Sequence, residues 1–360
     1  VTRDGRRPGG VLKRALDHQD LLLAVVAVVL MVVVVVIAPN FLHVETLFNI
    51  ARSSMVSLIF AVGVLVVLIA GGIDVSFLAV GIFAAYVTCK VVPAEGPLEA
   101  VVLPLGLSIL IGIGLGLVNA AVVLGARVSS LIATLATSAI FLGVLFAFVG
   151  GVVINRIPEP LAKLGQLSLL VLPGAQRGST RLSVIVLAVI VVCLIVAGFL
   201  RWTMAGRWVY AIGGDAEAAR RTGIPVRGTT VLVFALAGGL AGFAGIIHVS
   251  LSGRADPTTF FGGELDVLAA VVLGGAAITG GRGSVRGTLI GVLVIAVINA
   301  SLIPLGVPSI WQKAVVGLLL IVGVVLQAVS ARVRPLRLIL HPDDPAMTPA
   351  RAHPIRNLTP

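Results

Sequence analysis

The sequence predicts an all-α polytopic membrane protein of about ten transmembrane helices. Three observations lead there. The chain is 58% hydrophobic and 11% charged, whereas a soluble domain carries about 25% charged residues and could not hide so much apolar surface. Apolar runs of roughly 18 or more residues recur along most of its length. Its basic residues cluster between those runs, and they do so unevenly on the two sides. The net charge of +11 would suggest nucleic acid in a soluble protein. Here the basic residues flank apolar runs, so they read as topology determinants and contacts to anionic lipid headgroups, with no nucleic acid.

The elements follow in order. Residues 1–20 are polar and read as a cytoplasmic N-terminal segment. Residues 21–38 are apolar for too long, and lack the small-residue cleavage pattern, to be a signal peptide, so they read as a retained first span. The remaining spans fall roughly at 51–70, 75–92, 98–124, 130–150, 182–200, 229–250, 264–281, 286–303 and 310–330. Residues 21–330 thus form one transmembrane domain. Residues 331–360 read as a cytoplasmic disordered tail, carrying Pro335, Pro342, Pro345, Pro349, Pro354 and Pro360. With both termini inside, 18 of the 26 Lys and Arg face the cytoplasm, Arg127 and Arg220 among them. Half of the outer ones lie in the 151–181 loop. This is the positive-inside asymmetry, and an even span count agrees with it.

Between spans 2 and 3 stands Gly71-Gly72-Ile73-Asp74-Val75-Ser76. A carboxylate is costly in lipid, about 2.5–3.5 kcal/mol at a helix centre. Paired glycines weaken the helix and let backbone approach backbone. Asp74 can then accept hydrogen bonds from freed backbone N–H groups, which makes it a structural keystone of a gate at the inner end of span 2 rather than a substrate ligand. Ser76, Asn119, Thr134 and Asn299 are the candidates for wetting a pathway; hydrogen bonding between helices is the competing role for each. Asn119-Ala120 and Asn299-Ala300 end spans five apart. An odd offset makes them a candidate inverted repeat.

A second polar block runs from Gly206 to Ile224. Asp215 suits a helix N-cap, Glu217 the first turn, Arg220 and Arg221 the last, and Gly223 the terminator. That is a short cytoplasmic surface helix, either a solvated linker or a docking site for a partner.

Other signals carry little. Cys89 and Cys193 sit inside apolar runs as small hydrophobes. The five histidines have no metal spacing, and no G-x-x-x-x-G-K-[ST] loop occurs, so the chain itself binds no ATP that way. Gly112, Gly114, Gly116, Gly238 and Gly242 read as close helix packing. Trp202, Trp208 and Trp311 stand near span ends. Glu264 and Asp266, at the outer end of span 8, are open between partner or pathway contact and plain solvation. No nucleophile–base or metal-ligand constellation points to an enzyme.

Three blocks together resemble one family: Gly71-Gly72-Ile73-Asp74 with Ser76; Tyr210 to Ile224; and Glu264-Leu265-Asp266 through Gly274-Gly275, Gly280 to Ser284 and Trp311-Gln312. The chain resembles the permease subunit of bacterial ABC importers for simple sugars of the ribose, xylose and arabinose type. The resemblance implies a type II importer-like fold and a place in the inner membrane. It also implies a second permease subunit, identical or not, a cytoplasmic ATPase that uses the ATP, an extracytoplasmic sugar-binding protein, and a monosaccharide substrate. The coupling loop would be Gly213, Gly214, Asp215, Glu217, Ala218, Arg220 and Gly223, with Gly71, Gly72, Asp74, Ser76, Asn119, Thr134 and Asn299 on the pathway or gate. The chain departs from the family at Val75-Ser76-Phe77-Leu78, at Ser129-Ser130 where a proline is usual, and at Asp215 where asparagine is usual. Rival readings are a related permease for branched-chain amino acids, nucleosides or a signalling sugar derivative, and an ion-coupled secondary transporter. The last usually places more ionisable groups in its spans than Asp74 alone.

Overall fold

A computed structural model describes residues 44–126, 128–173, 179–302 and 311–333, with Val32 and Pro308 as isolated positions. The first predicted span, the N-terminal segment, Arg127 and the tail beyond Val333 lie outside the described residues. The described chain is helical apart from one hairpin. Its elements are α1 (Val44–Ile69), α2 (Phe77–Val91), a 3-10 turn (Leu98–Val101) leading into α3 (Val102–Ala126), and α4 (Ser130–Val144), extended by a π turn to Val149. There follow α5 (Glu159–Gln166), β1 (Ser168–Pro173), β2 (Ser179–Ser183), α6 (Ile185–Trp202), α7 (Met204–Gly214) and α8 (Ala216–Arg221). The last four are α9 (Val226–Ser252), α10 (Glu264–Leu273), α11 (Val285–Leu302) and α12 (Trp311–Val333).

Among the described residues six helices, α1, α3 with its leading turn, α4 with its π turn, α6, α9 and α11, are long and apolar enough to cross a membrane. α2 and the start of α12 are apolar but shorter. Two expectations change. The eighth predicted span, 264–281, stops at Leu273. Gly275, Gly280, Gly281 and Gly283 follow with φ of +90, +90, +73 and +159°, where a right-handed helix cannot continue. Ten residues rise only about 15 Å, half of a hydrocarbon core. The 151–181 segment is more than a loop: it holds α5 and the antiparallel pair β1–β2, registered from Ser168–Ser183 to Pro173–Ser179.

The core lies along α1 and α9. In the apolar stretch of α1 78% of residues are buried, against 22% in α3, so α1 is interior and α3 turns apolar side chains such as Val102, Leu103 and Leu110 outward. α9 packs against α2 and α3, and α1 packs against α10 and α11. Likewise α2 meets α3 and α4, while α10 meets α11 and α12. The same neighbour pattern therefore recurs in both halves, as the Asn119 and Asn299 match suggests. The glycines of α3 and α9 bring those helices to backbone contact. A Cβ on Gly112 would lie 2.2 Å from the Gly238 carbonyl oxygen, and one on Gly242 2.2 Å from that of Ser108. Small residues are what permit such crossings inside lipid.

Candidate functional site

Three glycine segments far apart in sequence meet at one end of the bundle. α1 ends because Gly71 adopts φ +83°; its N–H donates to the Leu68 carbonyl at 2.9 Å and that of Gly72 to Val67 at 3.0 Å. Gly213, the penultimate residue of α7, comes so close that a Cβ there would lie 1.7 Å from the Ile69 carbonyl oxygen. Gly280 approaches from the other side, 2.6 Å from the Gly71 Cα by the same measure. The Gly281 N–H donates to the Ile69 carbonyl at 2.8 Å, and the Tyr210 hydroxyl donates to the Gly283 carbonyl at 2.9 Å. Any side chain at Gly213 must push these backbones apart. Gly214, next to it, is exposed, and a Cβ there would meet nothing within 4 Å.

Immediately beyond this junction the polar residues of the Gly71–Ser76 block are drawn together and buried. Asp74 Oδ1 accepts from the Ser76 backbone N–H at 2.8 Å and from its hydroxyl at 2.7 Å. Ser76 Oγ accepts in turn from Asn119 Nδ2 at 2.7 Å, and Asn119 Oδ1 accepts from the Thr137 hydroxyl at 2.6 Å. Thr134 Oγ1 accepts from the Val75 N–H at 3.1 Å, and Ser130 Oγ from the Ile73 N–H at 2.8 Å. α2, α3 and α4 are thereby tied by a chain of side chains, with Asp74 3% and Asn119 1% exposed. Such networks are strong when every member has its partner. Asp74, Ser76, Asn119 and Thr134 are thus brought together; Asn299 is not among them.

α7 and α8 carry the second block. Residues 206–214 lie in helix α7, started by Thr203, whose hydroxyl accepts from the Gly206 N–H at 2.9 Å. Asp215 caps α8, its Oδ1 accepting from the N–H groups of Glu217 and Ala218 at 2.9 and 3.0 Å. Glu217 pairs with Arg220 at 2.8 Å and with Arg221 at 3.2 Å. Hydrogen bonding from Arg220, then Arg221, lowers the Glu217 carboxyl below the usual glutamate range. Gly223, at φ +85°, turns the chain toward α9. Asp215, Glu217, Ala218 and Arg220 are all exposed, so α8 presents a charged outer face directly behind the glycine junction.

A cavity of about 300 Å³ opens elsewhere in the bundle, between α1, α10 and α11. Ser53, Ser54, Ser57, Asp266 and Asn299 line it with apolar Val267, Ala270 and Ile295. Asp266 Oδ2 faces Lys313 Nζ at 3.3 Å. Among the described residues its Oδ1 is buried without a hydrogen-bond partner, as is Asn299 Oδ1.

The glycine-jointed helices, the closed polar chain and the separate polar cavity all lie within residues 46–324, which match the family described as branched-chain amino acid transport system / permease component. The chain is also similar to the ribose import permease protein RbsC of Escherichia coli K12, 35% identical over 292 residues, 81% of this chain and 88% of that one. The Bacillus subtilis protein of the same name is 34% identical over 290 residues, 80% and 86% of the two chains. The L-arabinose ABC transporter permease protein AraH of Azospirillum brasilense is 32% identical over 287 residues, 79% and 80%.

The chain belongs to this permease family.

In the permease, one relation escapes the sequence reading. Gly71-Gly72-Ile73-Asp74-Val75 has a counterpart in Gly262-Gly263-Glu264-Leu265-Asp266-Val267. Each block stands at the start of a helix whose neighbour bears the asparagine, α3 for Asn119 and α11 for Asn299. Asp266 therefore relates to Asn299 as Asp74 relates to Asn119. The Gly-Gly pair before an Asp-Val pair was the available signal, masked by one inserted residue. No sequence signal marks Ser53, Ser54 and Ser57; they are ordinary serines on a long apolar helix until the fold sets them across from Asp266.

Proposed function

We propose that this permease is the membrane component of an ABC importer and carries a neutral monosaccharide inward, with ATP used by a separate cytoplasmic ATPase. The observation that carries this reading is the agreement of relatives 32–35% identical over about four-fifths of the chain, named for ribose import and for L-arabinose. A sugar-binding protein outside and a second permease subunit complete the assembly. The permease does no covalent chemistry. It alternates access, biased by the ATPase through α7 and α8. Gly213 touching the end of α1 supports that route, because a push on α8 reaches the Asp74 cluster through backbone contacts. In this reading Asp74 holds the gate, both termini and Arg220 face the cytoplasm, and α8 docks on the ATPase.

The family description favours a second cargo, a branched-chain amino acid. Such a zwitterion needs a free cation for its carboxylate. At the cavity Lys313 already serves Asp266 and the Gly262 carbonyl, so a neutral cargo fits better. Reconstituted vesicles decide the matter. With ATPase and binding protein added, ribose or arabinose uptake should require hydrolysis, and leucine should not enter. Uptake by the permease alone under a proton or sodium gradient would sink the importer reading.

A further inference from the structure

We propose that the cavity between α1, α10 and α11 is a monosaccharide subsite within the permease, in which Asn299 and Asp266 exchange hydrogen bonds with sugar hydroxyls. This rests on the import reading above and adds where the cargo is held. Hydrogen bonding around this cavity is incomplete. Among the described residues, Asn299 Oδ1 and Asp266 Oδ1 are buried acceptors with no partner, each a cost of about 1–3 kcal/mol unless something donates to it. Two of the three serine hydroxyls do not correct this. Ser53 and Ser54 donate to the Ile50 carbonyl at 3.1 and 2.6 Å, which leaves only their lone pairs for the cavity. Ser57 and the Asn299 amide N–H2 add donors to the lining, so an occupant that both donates and accepts, as a hydroxyl does, matches it.

A cation would also bring donors. The Lys313 ammonium already offsets the Asp266 carboxylate across 3.3 Å, and the other described residues of the lining are uncharged. A neutral polyol supplies donors without adding charge. Val267, Ala270, Val292 and Ile295 give its ring carbons an apolar wall. At about 300 Å³ the space lies at the small end of ligand pockets, which run from about 300 to 1,000 Å³. That suits a single sugar.

The repeat within the chain makes the same point. In the first copy the asparagine is satisfied by the permease's own hydroxyls, those of Ser76 and Thr137. Ser76 stands two residues after Asp74; two residues after Asp266 stands Leu268. The second copy lacks that hydroxyl, and the sugar's takes its place.

The test is protection of a thiol in the assembled transporter. Ala300→Cys, near-isosteric and on the cavity wall, is placed in a Cys89→Ala, Cys193→Ala background and labelled with a small methanethiosulfonate. D-ribose at about twice its dissociation constant should slow labelling roughly threefold, while sucrose, too large to enter, should not. Adding Asn299→Leu should abolish the protection, and Asn299→Gln, which keeps an amide acceptor, should retain part of it. Absence of protection in vesicles that import ribose overturns the subsite, leaves a water-filled cavity, and spares the import reading. Protection without ATP-driven uptake overturns the import reading and leaves the sugar site standing. Equal protection in the Asn299→Leu protein overturns the assignment of Asn299.

Discussion

Asp74 and Asp266 each follow a pair of glycines, and each is matched with an asparagine on the next long helix, Asn119 or Asn299. Their surroundings are opposite. The Asp74 cluster is closed: aspartate, serine, asparagine and threonine pass hydrogen bonds along a buried chain. The Asp266 pair is open: beside the cavity, its two buried acceptors have no partner among the described residues. One signature thus has two surroundings, and what separates them is whether a neighbouring hydroxyl donates to its acceptors. A satisfied network rigidifies the end of the bundle it occupies, while an unsatisfied one leaves a place for something else to bind.

The junction behind the closed cluster offers the largest test. Gly213→Val should be the most damaging single change, since its Cβ would collide with the Ile69 carbonyl. Overpacking of that kind costs about 3 kcal/mol or more, seen as loss of a monodisperse permease or a large fall in its melting temperature. Gly214→Ala, with open space around it, should be silent. Equal effects at the two positions would remove the junction from the argument.

Asp74 comes next. Asp74→Leu strands both the Ser76 N–H and its hydroxyl, at about 1–3 kcal/mol for each donor left unpaired. In vesicles ATP hydrolysis should then cease to track sugar delivery. Asp74→Asn keeps an oxygen acceptor and should lower transport only moderately. A changed preference among monosaccharides in that variant, with coupling intact, would mean that Asp74 reads the cargo and that the closed cluster is no gate.

The asparagines give the sharpest comparison. Asn119→Leu leaves Ser76 and Thr137 without their shared partner and should destabilise the permease by about 1–3 kcal/mol. Asn299→Leu removes an unpaired buried acceptor and should be neutral or stabilising in a sugar-free melt. If the two cost the same, the closed and open descriptions are not distinct.

The smallest effect concerns α8. The Glu217 carboxyl is lowered by Arg220 and Arg221, so its contribution is present above the ordinary glutamate range and is lost as pH falls through the lowered value. Amide exchange in residues 216–221 should quicken in acid, while exchange in α1 and α9 stays slow. Glu217→Gln should make α8 insensitive to that change.

Much of this was readable along the chain. The span positions emerged from apolar runs, because lipid demands that each backbone group be satisfied within its own helix. The cap at Asp215 and the ion pairs of Glu217 were readable because they involve neighbours within four residues. Where the reading failed, the partners were distant. The eighth span reads too long because Gly274 and Gly275 lie in a still-apolar run, and hydropathy does not register a positive φ. Residues 206–214 read as part of a polar block, yet they lie in α7, whose Gly213 is required by contact with Ile69 and Gly281.

By itself, then, the sequence determined the helical membrane class, the break behind Gly71-Gly72, the short capped helix after Asp215, and the sparse set of polar residues available for a pathway. Those are properties of composition and of spacing within a few residues. Only the tertiary structure decided that Gly71, Gly213 and Gly280 share one junction, that Asn119 is quenched by Ser76 and Thr137, and that Asn299 is left open beside Asp266. Hydrogen-bond satisfaction and backbone clearance depend on which segments the fold brings within about 3 Å of each other, and nothing local to any one of those residues records who its neighbours will be.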